Sequence, residues 1–169
     1  LSSVDTNLAG VNVSGLSLDG EGNIIGEPPA ASELGAPKGT SVLLSINNIT
    51  EGVVRSDLVG NLLVNEASVK SHVQKIVALA TQGDYAGVEV AYAEIDPNLR
   101  PEFSAFIARL AEALHSANKT LVVRVPEPAI EGGSWSTGAY DWPALGRSAD
   151  VLRIPALADP ASYAVGGME

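Results

Sequence analysis

Residues 84–95 read Asp-Tyr-Ala-Gly-Val-Glu-Val-Ala-Tyr-Ala-Glu-Ile, and this stretch decides the fold. Successive side chains of a β-strand point to opposite faces, so the even positions from Val88 to Tyr92 form one bulky apolar face. The odd positions from Glu89 to Ala93 form a second face, which is small and carries a single carboxylate. The pattern predicts a buried strand that packs its apolar face under helices and leaves open space beside its small face.

Short apolar runs alternate with amphipathic helical patterns on both sides of this stretch. Strands are predicted at 8–18, 24–25, 41–47, 85–93, 120–125 and 150–154. Helices are predicted at 66–82 and 101–117, with shorter helical segments at 30–34, 56–64 and 141–147 and a glycine-rich loop at 129–141. Buried strands that alternate with amphipathic helices indicate the α/β class, with a parallel sheet and right-handed crossovers.

The same pattern fits an open doubly wound sheet or a barrel, and periodicity alone does not separate the two. No glycine-rich phosphate loop follows any of the predicted strands, which disfavours a nucleotide-binding open sheet. Asn65 is placed to cap the helix at 66–82, and Gly83 is placed to end that helix.

Composition limits the classes of protein to which this chain can belong. Its 169 residues are 46% hydrophobic and 18% charged, which favours one globular domain with a substantial core. The net charge of −10 disfavours nucleic acid as a partner, because phosphates would be repelled. No uninterrupted apolar run reaches the ~18 residues that a membrane-spanning helix needs. There is no cysteine, no His/Asp/Glu spacing typical of a metal site, and no indication of a cofactor.

The central stretch resembles the fourth-strand signature of family-18 glycoside hydrolases, which include chitinases and bacterial spore-cortex and peptidoglycan enzymes. That signature, Asp-Gly-Ile-Asp-Ile-Asp-x-Glu, falls on residues 86–93, which read Ala-Gly-Val-Glu-Val-Ala-Tyr-Ala. The glycine and the apolar positions are retained, and Glu89 stands in place of an Asp. The Asp nearest the catalytic acid is replaced by Ala91, and the acid itself is replaced by Ala93. The resemblance therefore implies the frame of the family without its acid.

The resemblance extends over most of the chain. It covers residues 18–24, 41–47, 95–100, 103–114, 121–126, 138–142 and 150–152. It implies one family-18-like domain over residues 1–169, a partial or complete (β/α)8 TIM-type barrel that holds roughly strands 2–6 of eight. Both ends are expected to have been trimmed from a longer chain. Open sheet edges would then be covered by further chain or by a partner, or would stay open.

The resemblance also implies how the missing groups would act. In this family the acetamido oxygen of the sugar is the nucleophile, and a single Glu protonates the leaving oxygen. The family ends its sixth strand Met-x-Tyr-Asp, where the tyrosine and the acid hold the N-acetyl group. The matching positions here are Pro155, Leu157 and Ala158, so a second part of the expected site has also lost its polar groups.

Two carboxylates remain as weak catalytic candidates. Glu94 lies one position beyond the acid, so it faces the other way unless a bulge turns it inward. A solvated carboxylate near the next helix is the simpler interpretation. Glu89 faces the interior, where a carboxylate needs a partner, and Arg124 or Arg153 on neighbouring strands is predicted to supply one.

A small set of polar and aromatic residues could contact a sugar. They follow strands or lie in the glycine-rich loop, and they are Asn47, Trp135, Tyr140 and Trp142. Core or loop packing explains the aromatic residues equally well. His72 and His115 lie on the two long helices and are predicted to be surface residues rather than ligands.

The resemblance and the missing acid together favour a catalytically inactive extracellular or cell-surface module. Such a module would bind N-acetylglucosamine-type polysaccharide, chitin or peptidoglycan, or would serve a structural role in a larger assembly. Two alternatives stay open. One is an active glycoside hydrolase that uses Glu94 or a residue outside the chain as its acid. The other is an architectural subunit that binds other protein chains.

Overall fold

A computed structural model describes residues 10–19 and 22–155. The strands are β1 (Gly10–Leu18), β2 (Ile24–Ile25), β3 (Ser41–Asn47), β4 (Ile49–Thr50), β5 (Val53–Val54), β6 (Gly87–Ala91), β7 (Thr120–Arg124), β8 (Ala129–Glu131), β9 (Ser134–Ser136) and β10 (Val151–Arg153). The α-helices are α1 (Ser56–Leu63), α2 (Glu66–Gln82), α3 (Arg100–Ser116) and α4 (Trp142–Ser148), and 3₁₀ turns lie at Ala31–Leu34 and Pro97–Leu99. The first two residues of the strand predicted at 8–18 lie outside the described residues, as do Leu157 and Ala158.

Five parallel strands form the centre of the molecule. The main sheet has the order β10-β7-β6-β3-β1-β2, and β2 is the antiparallel member at one edge. Each parallel strand therefore neighbours the parallel strand that precedes it in the chain, with no reversal of order. A doubly wound sheet reverses its strand order at a switch point, whereas a TIM-type barrel does not. The predicted α/β class is confirmed, and the part of the chain that the structure describes is an arc of a barrel.

Helices join the strands and cover one face of the arc. Helices α1 and α2 connect β3 to β6, α3 connects β6 to β7, and α4 lies between β7 and β10. The bulky face predicted for the central strand packs against them, since Val88 and Val90 are fully buried and Tyr92 nearly so. From α3 the residues that enter this core are Phe103, Phe106, Ile107, Leu110, Ala111 and Leu114. Within the described residues, no helix has the length and apolar character required to span a membrane.

The ends of α2 follow from the residues that flank it. The side chain of Asn65 accepts a hydrogen bond from the Ser68 backbone N–H at 3.0 Å, which satisfies one of the free donors of the first turn. Gly83 ends the helix, and Asp84 takes the left-handed conformation with φ of 52°. The predicted bounds of this helix and its cap are confirmed.

The glycine-rich loop at 129–141 contains structure that the sequence analysis missed. Strands β8 and β9 pair as an antiparallel hairpin whose turn is Gly132-Gly133, with φ values of 58° and 82°. Two positive φ angles in a two-residue turn are typical of the hairpins whose twist matches that of their strands. The Gly-Gly pair between short β-prone runs was the signal that could have predicted this hairpin.

A methyl group at Gly87 should destabilise the sheet, because it would overlap the carbonyl oxygen and Oγ1 of Thr120 on the neighbouring strand. Gly87→Ala is expected to lower the free energy of unfolding by about 1–3 kcal/mol, the usual cost of overpacking. Urea denaturation monitored by circular dichroism measures this loss. Gly60→Ala is the matched control, since its methyl would meet only Leu99 at an ordinary 3.6 Å inside a helix. Equal stability of the two variants would contradict the close approach at Gly87.

Candidate ligand-binding cleft

A cleft of about 490 Å³ opens where the parallel strands end. The carboxyl ends of the strands are the edge at which barrels of this type hold their active sites. The lining comes from all five parallel strands and the loops that follow them. It comprises Ser14, Ser45, Asn47, Ile49, Ala91, Tyr92, Ala93, Glu94, Arg124, Val125, Pro126, Tyr140 and Pro155.

Ala91 and Ala93 both line this cleft, as the strand alternation predicts. Ala91 is the last residue of β6, and Ala93 follows two residues later on the same side. A methyl group cannot donate or accept a proton, so the cleft surface has no ionisable group at these two positions. The small side chains leave open space beside the end of the central strand β6.

The buried amide of Asn48 fixes the chain at Ala93. Its Oδ1 accepts from the Ala93 backbone N–H at 2.8 Å, and its Nδ2 donates to the Ala93 carbonyl at 3.0 Å. Asn48 is fully buried, and these two bonds replace the ladder bonds that a longer strand would make. This explains why β6 ends at Ala91 rather than at the predicted residue 93. The role of Asn48 was not predicted from the sequence, because its partner lies 45 residues further along the chain.

The turn after Ala93 brings Glu94 to the cleft. Glu94 has φ of 54°, in the left-handed region that is uncommon for residues other than glycine, and its side chain is exposed. It lines the cleft together with Ala91 and Ala93. The inward turn that the sequence analysis required of Glu94 is therefore present, although a left-handed turn beyond the strand end produces it.

Glu89 lies on the concave face of the arc and is 3% exposed. One oxygen accepts from Asn12 Nδ2 at 2.7 Å and from Ser45 Oγ at 2.8 Å. The other accepts from Arg153 Nη1 at 2.5 Å. The predicted partnership with Arg153 is confirmed, and Arg124 makes no such bond. Both oxygens are thus held by partners from three other strands, which identifies Glu89 as an internal tie rather than a free acid.

One extra residue in β1 brings a further polar group to the cleft. The register with β3 shifts between Val13 and Leu16, so three steps on β1 match two on β3. Such bulges redirect side chains and are frequent beside binding sites. Here the bulge contains Ser14, which lines the cleft, and Gly15, which has φ of 116°.

A row of buried aromatic rings supports the cleft from the helical side. The Tyr140 hydroxyl donates to the Tyr92 carbonyl at 2.8 Å, and burial raises the pKa of Tyr140 to about 12. The Tyr92 hydroxyl lies 2.5 Å from His72 Nε2, and burial also raises the pKa of Tyr92 above its usual range. The prediction that His72 lies at the surface is wrong, because it is 2% exposed and packs beside Phe106.

The four predicted sugar-contacting residues do not lie together. Asn47 and Tyr140 line the cleft. Trp135 is 73% exposed on β9, and Trp142 packs against the hydrophobic core at the start of α4, so neither belongs to the cleft lining. The part of the chain that the structure describes has no cluster of three His, Cys, Asp or Glu residues that could hold a metal ion.

Comparison with known proteins identifies the type of fold. No family model matches the chain. It is 23% identical over 159 residues to YvbX, an uncharacterized glycosylase of Bacillus subtilis, covering 91% of this chain and 46% of YvbX. A class V chitinase from Pseudomonas fluorescens superposes with a TM-score of 0.77 at 23% identity, covering 88% of this chain and 46% of that one. The spore cortex-lytic enzyme SleL from Bacillus cereus gives a TM-score of 0.74 at 21% identity, over 87% of this chain and 34% of that one.

The chain has a chitinase-like glycosidase fold. The resemblance to chitinases and spore-cortex enzymes, predicted from the central stretch, is confirmed at the level of the fold. The chain spans less than half the length of each of these three relatives. Within the chitinase-like fold, the cleft lies at the strand ends, and Ala91 and Ala93 are part of its lining.

Removing the Glu89 carboxylate should destabilise the chitinase-like domain, since Arg153, Ser45 and Asn12 would all lose their acceptor. Glu89→Ala is expected to lower the free energy of unfolding by about 3 kcal/mol, the low end of the cost of breaking a buried ion pair. Urea denaturation provides the measurement. Glu112→Ala on the exposed face of α3 is the control and should change stability by less than about 0.5 kcal/mol. Similar losses for both variants would show that Glu89 is not a tie between strands.

Stability should fall below neutral pH because His72 is buried in its neutral form. Burial lowers the pKa of His72 from 6.5 to about 4. The unfolded chain therefore takes up a proton at higher pH than the folded chain, and stability decreases as pH falls from 6.5 towards 4. Between neutral pH and about pH 5, the protonation of His72 should lower the free energy of unfolding by about 2 kcal/mol.

The contribution of His72 can be isolated by comparing unfolding at the two pH values. On acidification, the free energy of unfolding of His72→Gln should fall by about 2 kcal/mol less than that of the parent. The amide of the new side chain can still bond to Tyr92. Gln74→Ala on the exposed side of α2 is the control, because it removes no titratable group, and its stability should depend on pH as that of the parent does. An unchanged pH dependence in His72→Gln would contradict a neutral buried imidazole.

Proposed function

We propose that this chain is a glycan-binding, catalytically inactive domain that recognises polysaccharides of the N-acetylglucosamine type, such as chitin or peptidoglycan. The observation that carries the proposal is the pair of alanines, Ala91 and Ala93, in the wall of the cleft at the strand ends. The family-18 glycoside hydrolases that this chain resembles need an acid at the position of Ala93 and a carboxylate at the position of Ala91. Loss of both groups removes proton transfer and leaves the cavity.

The remaining cleft has features suited to sugar binding. Its volume of about 490 Å³ lies within the range of pockets that hold small ligands. Ser14 and Asn47 contribute polar surface, and Tyr140 is held rigidly by its bond to the Tyr92 carbonyl. A rigid wall lowers the entropic cost of ordering a ligand.

Glu89 does not supply the missing acid under this proposal. Both of its oxygens accept hydrogen bonds, one of them from the Arg153 guanidinium. Glu89 is also buried and lies outside the cleft lining, so its carboxylate is not placed to reach a leaving oxygen. Chitin and peptidoglycan lie outside the cytoplasm, so the proposed site of action is extracellular or at the cell surface.

A second candidate function is hydrolysis with Glu94 as the acid. The observation that favours it is the left-handed turn that brings this carboxylate into the cleft lining beside Ala93. Its exposure counts against it, because a catalytic carboxylate acts most effectively in a site from which water is excluded. The inactive binding domain is therefore the preferred function.

Calorimetric titration of the full chain with N-acetylglucosamine tetramer to hexamer tests the proposal. We expect saturable binding with no shorter oligomers released when the same samples are analysed by mass spectrometry. Released products would overturn the inactive assignment. Absence of binding would instead favour the architectural alternative, in which the open sheet edges bind another protein.

Glu94→Gln separates the two functions if any cleavage is detected. The second candidate requires turnover to fall at least about 100-fold, the typical contribution of a general acid. Glu112→Gln, an exposed carboxylate on α3, is the matched control and should leave turnover unchanged. The preferred function instead gives no turnover in parent or variants, and equal oligomer affinity for the parent and Glu112→Gln.

A further inference from the structure

Arg124 is a cation in the cleft without a carboxylate partner in the described residues. It is the last residue of β7, its side chain is exposed, and it lines the cleft. The ion pairs of residues 10–19 and 22–155 involve other basic groups. The role predicted for Arg124 from the sequence was that of a partner for Glu89, and that bond is not made.

The charges around Arg124 do not balance. Arg153 lies directly beside it in the parallel register of β7 and β10. Glu89 neutralises Arg153 through the 2.5 Å contact. Glu89 binds Arg153 and not Arg124, so the positive charge of Arg124 has no ion-pair partner among the described residues. The carboxylate in the cleft lining is that of Glu94, which lies on the turn after β6 and makes no ion pair with Arg124.

The residue alongside Arg124 on the central strand is an alanine. The register of β6 and β7 pairs Val90 with Val123, so the next position on each strand places Ala91 alongside Arg124. An aspartate at position 91 would put a carboxylate next to the guanidinium. With alanine there, the guanidinium faces open space in the cleft.

We propose that Arg124 binds a carboxylate carried by the glycan, so that the cleft prefers acidic N-acetylated sugars to neutral ones. This inference rests on the proposed glycan-binding function. A guanidinium remains charged at all physiological pH values and presents two parallel donors that match a carboxylate. The protein's net charge of −10 opposes anions at long range, but physiological salt screens exposed charges beyond about 8 Å. Recognition by Arg124 acts at contact distance, inside that limit.

The test compares two tetrasaccharides that share one β-1,4-linked backbone. One is N-acetylglucosamine tetramer, which is neutral. The other alternates N-acetylglucosamine with N-acetylmuramic acid and carries free lactyl carboxylates. Calorimetry on the full chain should show roughly tenfold tighter binding of the acidic sugar, the effect expected of one charge-assisted contact. A third sugar with the lactyl carboxylates converted to amides separates the charge of the group from its size.

Variants assign the preference to Arg124. Arg124→Gln should bring the affinities for the acidic and neutral sugars to within about twofold of each other. Arg124→Lys keeps the positive charge but lacks the two parallel donors of the guanidinium, so it should retain part of the preference. Arg147→Gln is the matched control, because it removes the same charge from an exposed position on α4 outside the cleft lining. It should keep the full preference.

The outcomes distinguish this inference from the proposed function. Equal affinity of the parent for the acidic, amidated and neutral sugars would overturn the role of Arg124 while leaving glycan binding intact. The role of Arg124 would also be overturned if Arg124→Gln kept the preference, or if the amidated sugar bound as tightly as the acidic sugar. Failure of every sugar to bind would overturn the proposed function and this inference with it.

Discussion

The carboxylate of Glu89 is the interaction on which the arc of strands depends. It joins the central strand to Asn12 on β1, Ser45 on β3 and Arg153 on β10, so one side chain connects four of the five parallel strands. Hydrophobic packing on the helical face is non-directional and does not by itself fix the curvature of the sheet. Three directed bonds to one point on the concave face do restrict it, and the strand ends that surround the cleft are positioned as a result.

A second constraint separates the shape of the cleft from its chemistry. The Asn48 amide holds the backbone of Ala93 through both its N–H and its carbonyl, independently of the side chain at that position. The main chain beside the cleft is therefore fixed whatever side chain occupies position 93. The chemistry of the cavity depends instead on the side chains that line it, among which Arg124 is an exposed cation.

Local patterns made much of this fold predictable. Periodicity predicted the buried strand β3, and periodicity together with capping predicted the long helix α2 after Asn65. The cost of a buried charge predicted that Glu89 pairs with an arginine, which is Arg153. The burial of His72 was not predictable, because it depends on a tyrosine that reaches it from another element. Asn48 was missed for the same reason: its partner lies 45 residues away, and periodicity carries no information about such contacts.

The sequential order of the strands has a consequence for how the molecule forms. Each parallel strand pairs with the one made just before it, through a connection that contributes its own helix or turn. A chain of this kind can add units from one end as it leaves the ribosome, each new unit docking on an edge that already exists. The Glu89 tie has members near both ends of the arc, so it closes last and would lock an assembly that had formed piece by piece.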